Sequence, residues 1–257
     1  MHLRHFTAAT ILLAAVAGGG LALRSAPPDE VAGSCQPVFK AQVCTWARVV
    51  GSHVVALGAT VPMAAIEGGP ADMAMAWPPV AEAVIPLPAV AQHGTGVDHL
   101  TVFWEAHGHS PATFMVPHFD FHFYVIGDSA RQAIDCKATE KPATLPAGYL
   151  LPDQDVPGLG TLIGICVPQM GMHATLAADA QSPSPMTSTM VLGYYHTVPI
   201  FFEPMISEAT LQERKTFTLK VVAPGGAAAG VKYPTLFEAQ YDATIPGGGY
   251  RFVFTGF

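Results

Sequence analysis

The chain predicts an all-β fold, a barrel or sandwich of short antiparallel strands with long Pro/Gly-rich loops and little helix. Three observations carry this. Runs rich in β-branched and aromatic residues recur along the chain. Its 25 glycines and 23 prolines break them at short intervals. Helical periodicity is scarce, and there is no heptad or internal repeat.

Taken in order, Ala47–Val50 and His53–Leu57 read as strands joined at Gly51-Ser52. Residues 62–92, rich in Ala, Pro and Met, read as a short helix with irregular loops. Leu100–Glu105 and Thr113–Ile126 are strand candidates forming a hairpin, with His107-Gly108-His109-Ser110-Pro111 in the long connection. Residues 145–160 read as a loop, because three prolines and three glycines interrupt them. Val191–Tyr195, Pro199–Phe202, Thr216–Val222 and Tyr250–Phe257 supply further strands.

The N-terminus reads as an export signal. A short basic start precedes an apolar stretch from Phe6 to Ala17, and Ala15-Val16-Ala17 has the small-x-small pattern of a cleavage site. An uncleaved anchor is the alternative. The expected division is a signal peptide at 1–17, a flexible linker at 18–34 and a single β-rich domain at 35–257, placing the mature protein in the periplasm or outside the cell. No later segment is apolar and long enough to span a bilayer. Half the residues are hydrophobic and only 12% are charged, which suits extensive burial, including burial between subunits. Removing 1–17 takes away only Arg4, so the formal charge goes from −7 to −8. With no basic run, nucleic acid is excluded as a partner. Four cysteines, Cys35, Cys44, Cys136 and Cys166, fit disulfides in an exported chain. Three pairings are open, and locality favours Cys35–Cys44 with Cys136–Cys166. No CxxC pair exists to support a thiolate zinc site.

The run from Pro117 to Tyr124, PHFDFHFY, is the most informative. On a strand His118, Asp120 and His122 share one face, and Phe119, Phe121 and Phe123 the other. Six of the eleven histidines fall between positions 93 and 122, close to Glu105 and Asp120. Imidazole and carboxylate together suit zinc, iron, manganese or copper. Residues four apart on a straight strand are separated by about 13 Å, so His118 and His122 share one ion only across a bulge or bend. Further ligands are expected from His173 in GMHA and Glu203 in FFEPM. The candidate metal set is therefore His118, Asp120, His122, His173 and Glu203. The competing reading is a buried polar network in which Asp120 orients the two imidazoles without a metal. His107 and His109 read as solvated loop histidines. No GxSxG elbow, P-loop or strand-following GxGxxG is present, and no catalytic residue is assigned.

The strings VDHLTVFWEAHGHSP, VPHFDFHFY, LPAGY, GMH, GYYHTVPIFFEPM and YPTLFEAQYDA, followed by RFVFTGF, resemble a family of uncharacterised bacterial domains. The family is typified by a Thermus protein under an extracytoplasmic-stress (sigma-E) factor, which forms a ring-like homo-oligomer. The resemblance covers roughly residues 45–257. It implies an exported β-rich domain that self-assembles and carries over no catalytic residues.

Two functions follow as expectations. One is an exported metal-binding protein, an oxidoreductase or hydrolase if catalytic. The other is a non-catalytic homo-oligomeric envelope or binding protein whose polar cluster is structural. A third idea is a small-molecule ligand held in a barrel lined by Phe119, Phe121 and Phe123.

Overall fold

Alternating apolar residues bounded by turn formers make strands too short to fold alone, and they gain stability by stacking into sheets with a shared apolar face. The computed structural model describes residues 28–73 and 76–257, so the expected signal peptide and residues 18–27 lie outside the described residues. Fifteen strands form: β1 (Asp29–Val38), β2 (Ala41–Val50), β3 (His53–Pro62), β4 (Ala83–Pro86), β5 (His99–Glu105), β6 (His118–Tyr124), β7 (Tyr149–Leu150), β8 (Gln154–Val156), β9 (Gly160–Leu162), β10 (Met172–Leu176), β11 (Ser188–Tyr195), β12 (Val198–Ser207), β13 (Phe217–Lys220), β14 (Leu236–Asp242) and β15 (Gly249–Thr255). Residues 29–34, expected as linker, are thus part of β1, where Glu30 pairs across the strands with Arg48. Among the described residues no helix is long and apolar enough to cross a membrane.

One sheet has the order β1-β2-β3-β15-β14-β13, a second β4-β5-β6-β12-β11-β10-β7, and β8-β9 stand apart as a hairpin. All the pairings are antiparallel. The two large sheets pack face to face as a sandwich, and neither closes into a barrel.

The core lies between them and is aromatic. Phe121 meets Phe252 edge-on at 4.8 Å between ring centroids, and Phe254 receives both Phe123 and Phe202 at 4.8 Å. Phe119, Phe121 and Phe123 are therefore packing residues, each at most 1% exposed. This corrects the idea that they line a ligand barrel. Because side chains alternate along β6, committing these rings to the core turns His118, Asp120 and His122 to the sheet's other face.

Both disulfides form with the local pairing. Cys35–Cys44 joins directly opposed residues of β1 and β2. Cys136–Cys166 ties the segment after the Asp128–Gln132 helix to the turn before β10. Some elements escaped the sequence reading: β10 is introduced by the turn at Gly171, and β14 carries too few β-branched residues to stand out.

Candidate metal centre

The outer face of the seven-stranded sheet is assembled by register. β5 and β6 pair without a break from His99↔Tyr124 to Glu105↔His118. No bulge bends β6 toward its own ends, so His118 and His122 stay apart. β12 pairs on the other side, with Phe202↔Phe123 and Met205↔Asp120, which brings Glu203 alongside His122. β11 follows with Val191↔Glu203, and β10 sets His173 opposite Gly193.

The five expected ligands thus divide into two groups. His122, His173 and Glu203 form one; His118 and Asp120 form the other, joined by His109. In each group the candidate donor atoms all lie within 4.8 Å of one another. A single centre holding all five residues is not what the fold builds, because a straight β6 keeps its two histidines about 13 Å apart.

In the first group His122 Nε2 lies 3.4 Å from His173 Nε2 and 3.3 Å from Glu203 Oε2. His173 Nδ1–H donates to the Ile165 carbonyl at 3.0 Å, which leaves its Nε2 with a lone pair aimed at His122. Phe201 covers both imidazoles, with centroids 4.6 Å from His122 and 5.2 Å from His173. Gly193 makes this possible, since a Cβ there would fall inside the Phe201 ring. Tyr124 stacks on His122 and Phe103 meets it edge-on. So enclosed, His122 and Glu203 are 0% and 1% exposed.

In the second group His118 Nε2 stands 3.3 Å from Asp120 Oδ1. His118 Nδ1–H is committed to the Val116 carbonyl at 2.7 Å, and His109 Nδ1–H to the Ser110 carbonyl at 2.9 Å, so both Nε2 atoms again carry lone pairs. The rings of His109 and His118 stand edge-to-face at 4.9 Å. His109 was expected in solvent, and only its neighbour His107 is exposed. The turn at Gly108 folds His109 inward. Its φ is +64°, and a Cβ there would strike the Phe114 carbonyl and the Val116 backbone. A glycine between two histidines was the one signal in the sequence that could have revealed this.

Burial sets the protonation states. The imidazoles are held neutral: His118 and His173 are pushed down to about 4 by desolvation, opposed by their backbone hydrogen bonds. His122 is held well below the usual imidazole range by burial and by its neighbour His173. The carboxyls move the other way. Asp120 rises to about 7 by burial, and Glu105, cross-strand partner of His118, rises to about 8 by burial and the nearby Asp120. Glu203 is raised well above its usual range, first by burial and then by Asp120 and Glu105. His118 Nε2, Asp120 Oδ1, His122 Nδ1 and Glu203 Oε2 are buried without a hydrogen-bond partner.

Glu105, His109, Asp120, His173 and Glu203 line one cavity of about 640 Å³ on this face. Among the described residues no lysine or arginine lines it. With Glu82, four carboxyl groups therefore share a concave space with no lysine or arginine among the described lining residues to offset them.

Fold and site together define a β-sandwich with paired imidazole–carboxylate groups beneath a cavity. Residues 52–104, from the turn before β3 to Trp104 in β5, match the model of a family described as TTHB210-like, hypothetical protein TTHB210. Over that stretch the chain is similar to an uncharacterised domain family. No curated protein and no solved structure matches the chain.

Proposed function

We propose that the chain is an exported metal-binding protein whose principal centre is His122, His173 and Glu203. In this reading His109, His118 and Asp120 form a second, adjacent centre. The observation that carries it is donor spacing. An ion with tetrahedral bonds of about 2.1 Å holds its ligand atoms about 3.4 Å apart. The observed separations are 3.3 and 3.4 Å in the first group and 3.3 Å in the second. These exceed ordinary N–H···O hydrogen bonds, at about 2.7–3.2 Å, and Glu203 Oε2, His118 Nε2 and Asp120 Oδ1 have no hydrogen-bond partner.

Two imidazoles and one carboxylate suit zinc or iron(II) first, with manganese and copper behind. Three protein ligands leave a coordination position open, and the cavity gives a small molecule access to it. Such a position supports hydrolytic or redox chemistry according to the ion bound. The two disulfides support export, since such bonds persist in oxidising compartments.

The test is elemental analysis of protein purified without a histidine tag. Near-stoichiometric zinc, iron, manganese or copper is expected, together with its loss in His122→Ala. Metal-free protein that gains no ion on titration would favour the structural network. A long N–H···N contact of 3.4 Å between His122 and His173 is the observation that favours that second reading. Self-assembly is supported by the low charge and by the family resemblance. A monomeric mass in solution would remove it.

A further inference from the structure

The cavity over the two groups has a wall chemistry that the metal reading does not use. Asp120, His173 and Glu203 lie on the sheet that forms its floor, while Glu82, His107, His109, Ser110 and Gln154 are polar positions in the walls. Above the floor the walls come from four parts of the chain: Met73 with residues 76–82, the 106–115 connection, the β8-β9 hairpin and the segment before β10. These contribute mainly aliphatic, aromatic and thioether side chains. At the mouth Trp77, Val80, Met115 and Leu159 are 44%, 71%, 55% and 42% exposed. Large apolar residues standing in water around one opening form a patch of the kind that marks a binding site. The volume falls within the range of about 300–1,000 Å³ typical of small-molecule sites.

We propose that this cavity binds an uncharged, predominantly apolar organic molecule of drug-like size, inserted with its polar end toward Glu203 and His173. With no lysine or arginine among the described lining residues, an organic anion would meet Glu82, Glu105, Asp120 and Glu203 with no counterion of the protein, so an uncharged body is favoured wherever no metal is engaged. An apolar body gains by covering the mouth residues and the buried Phe103 and Met205, which flank Asp120 across the strands. A flexible thioether-rich lining, with Met73, Met115, Met170 and Met205, accommodates varied shapes. The pocket stands on wall chemistry alone; only the direction of the polar end rests on the metal reading.

The experiment is a fluorescence titration with N-phenyl-1-naphthylamine, a neutral apolar dye, on metal-loaded and chelator-treated protein. Saturable binding with blue-shifted emission is expected in both forms. The double variant Met115→Asp/Leu159→Asp alters exposed residues outside the donor groups, so it should fold, and it should weaken the dye at least tenfold. Leu236→Asp, an equally exposed apolar position outside the cavity, should leave binding unchanged. No saturable binding, or equal loss in both variants, overturns the pocket. Orientation is read by comparing 2-naphthohydroxamic acid, which carries a metal-binding group, with 2-naphthamide. The hydroxamic acid should win at least tenfold on metal-loaded protein only, and equal affinities there overturn the orientation. Elemental analysis reads the metal separately, so protein that takes up no ion on titration yet binds the dye sinks the metal centre and leaves the pocket standing.

Discussion

Glu203→Gln separates a metal ligand from a structural acid. Glu203 is 1% exposed, its Oε2 has no hydrogen-bond partner, and burial raises its carboxyl well above the usual carboxylate range in metal-free protein. The amide keeps the shape and the neutral state, so metal-free stability should change by less than about 1 kcal/mol. The metal-bound state behaves differently. An ion present at a hundred times its dissociation constant stabilises the native state by about 2.7 kcal/mol. For a chain of this size each kcal/mol moves the melting midpoint by roughly 2–4 °C. Wild type should therefore gain about 5–11 °C on adding the ion and lose it with chelator. Losing a ligand costs at least the roughly 100-fold in affinity seen for supporting partners, which leaves only about 0.4 kcal/mol and a shift of about 1 °C. Differential scanning fluorimetry at fixed free metal reads all four states. A wild type indifferent to metal, or a Gln variant with the full shift, would show that the spacing of these donors is coincidental.

Metal-free protein should lose stability as pH rises from 6.5 to 8.5. Glu105 and Asp120 hold protons in the folded state up to about 8 and 7, whereas their unfolded forms are already ionised, so folding takes up protons there and its stability falls as pH rises toward those values. The lowered histidines oppose this slope near pH 6.5, where unfolded imidazole is still about half protonated, and stop contributing above about pH 7.5. The net loss is on the order of 1 kcal/mol, and bound metal should flatten it, as urea midpoints would show. In Gly193→Ala the added methyl should displace Phe201 from its place over His122 and His173, costing about 1–3 kcal/mol and weakening metal binding together. An unchanged metal titration would mean that Phe201 does not hold the imidazoles. Replacing Cys136 and Cys166 by alanine opens a loop closed over a separation of 30 residues, worth about 3–4 kcal/mol. It also frees the turn whose Ile165 carbonyl orients His173. Both the denaturation midpoint and the metal affinity should fall.

Much of this architecture is readable from local pattern. Alternation in HFDFHFY requires a strand with an aromatic face and a polar face, whatever surrounds it. The strong strands and their turns appear where β-branched and aromatic runs meet glycine and proline, and an even cysteine count with local spacing anticipates both bridges. His173 and Glu203 could be suspected as lone polar residues in apolar company. Their partners could not be read, because which strand lies beside which depends on long-range pairing that leaves no mark on either strand alone. Register placed Glu203 beside His122 through β12, and β10 carried His173 to the same point, while unbroken pairing along β6 kept His118 away. A glycine with positive φ then folded His109 over His118, a contact that depends on three-dimensional closure rather than residue type. Local chemistry named the candidate donors; sheet order and strand straightness divided them into two groups beneath one cavity.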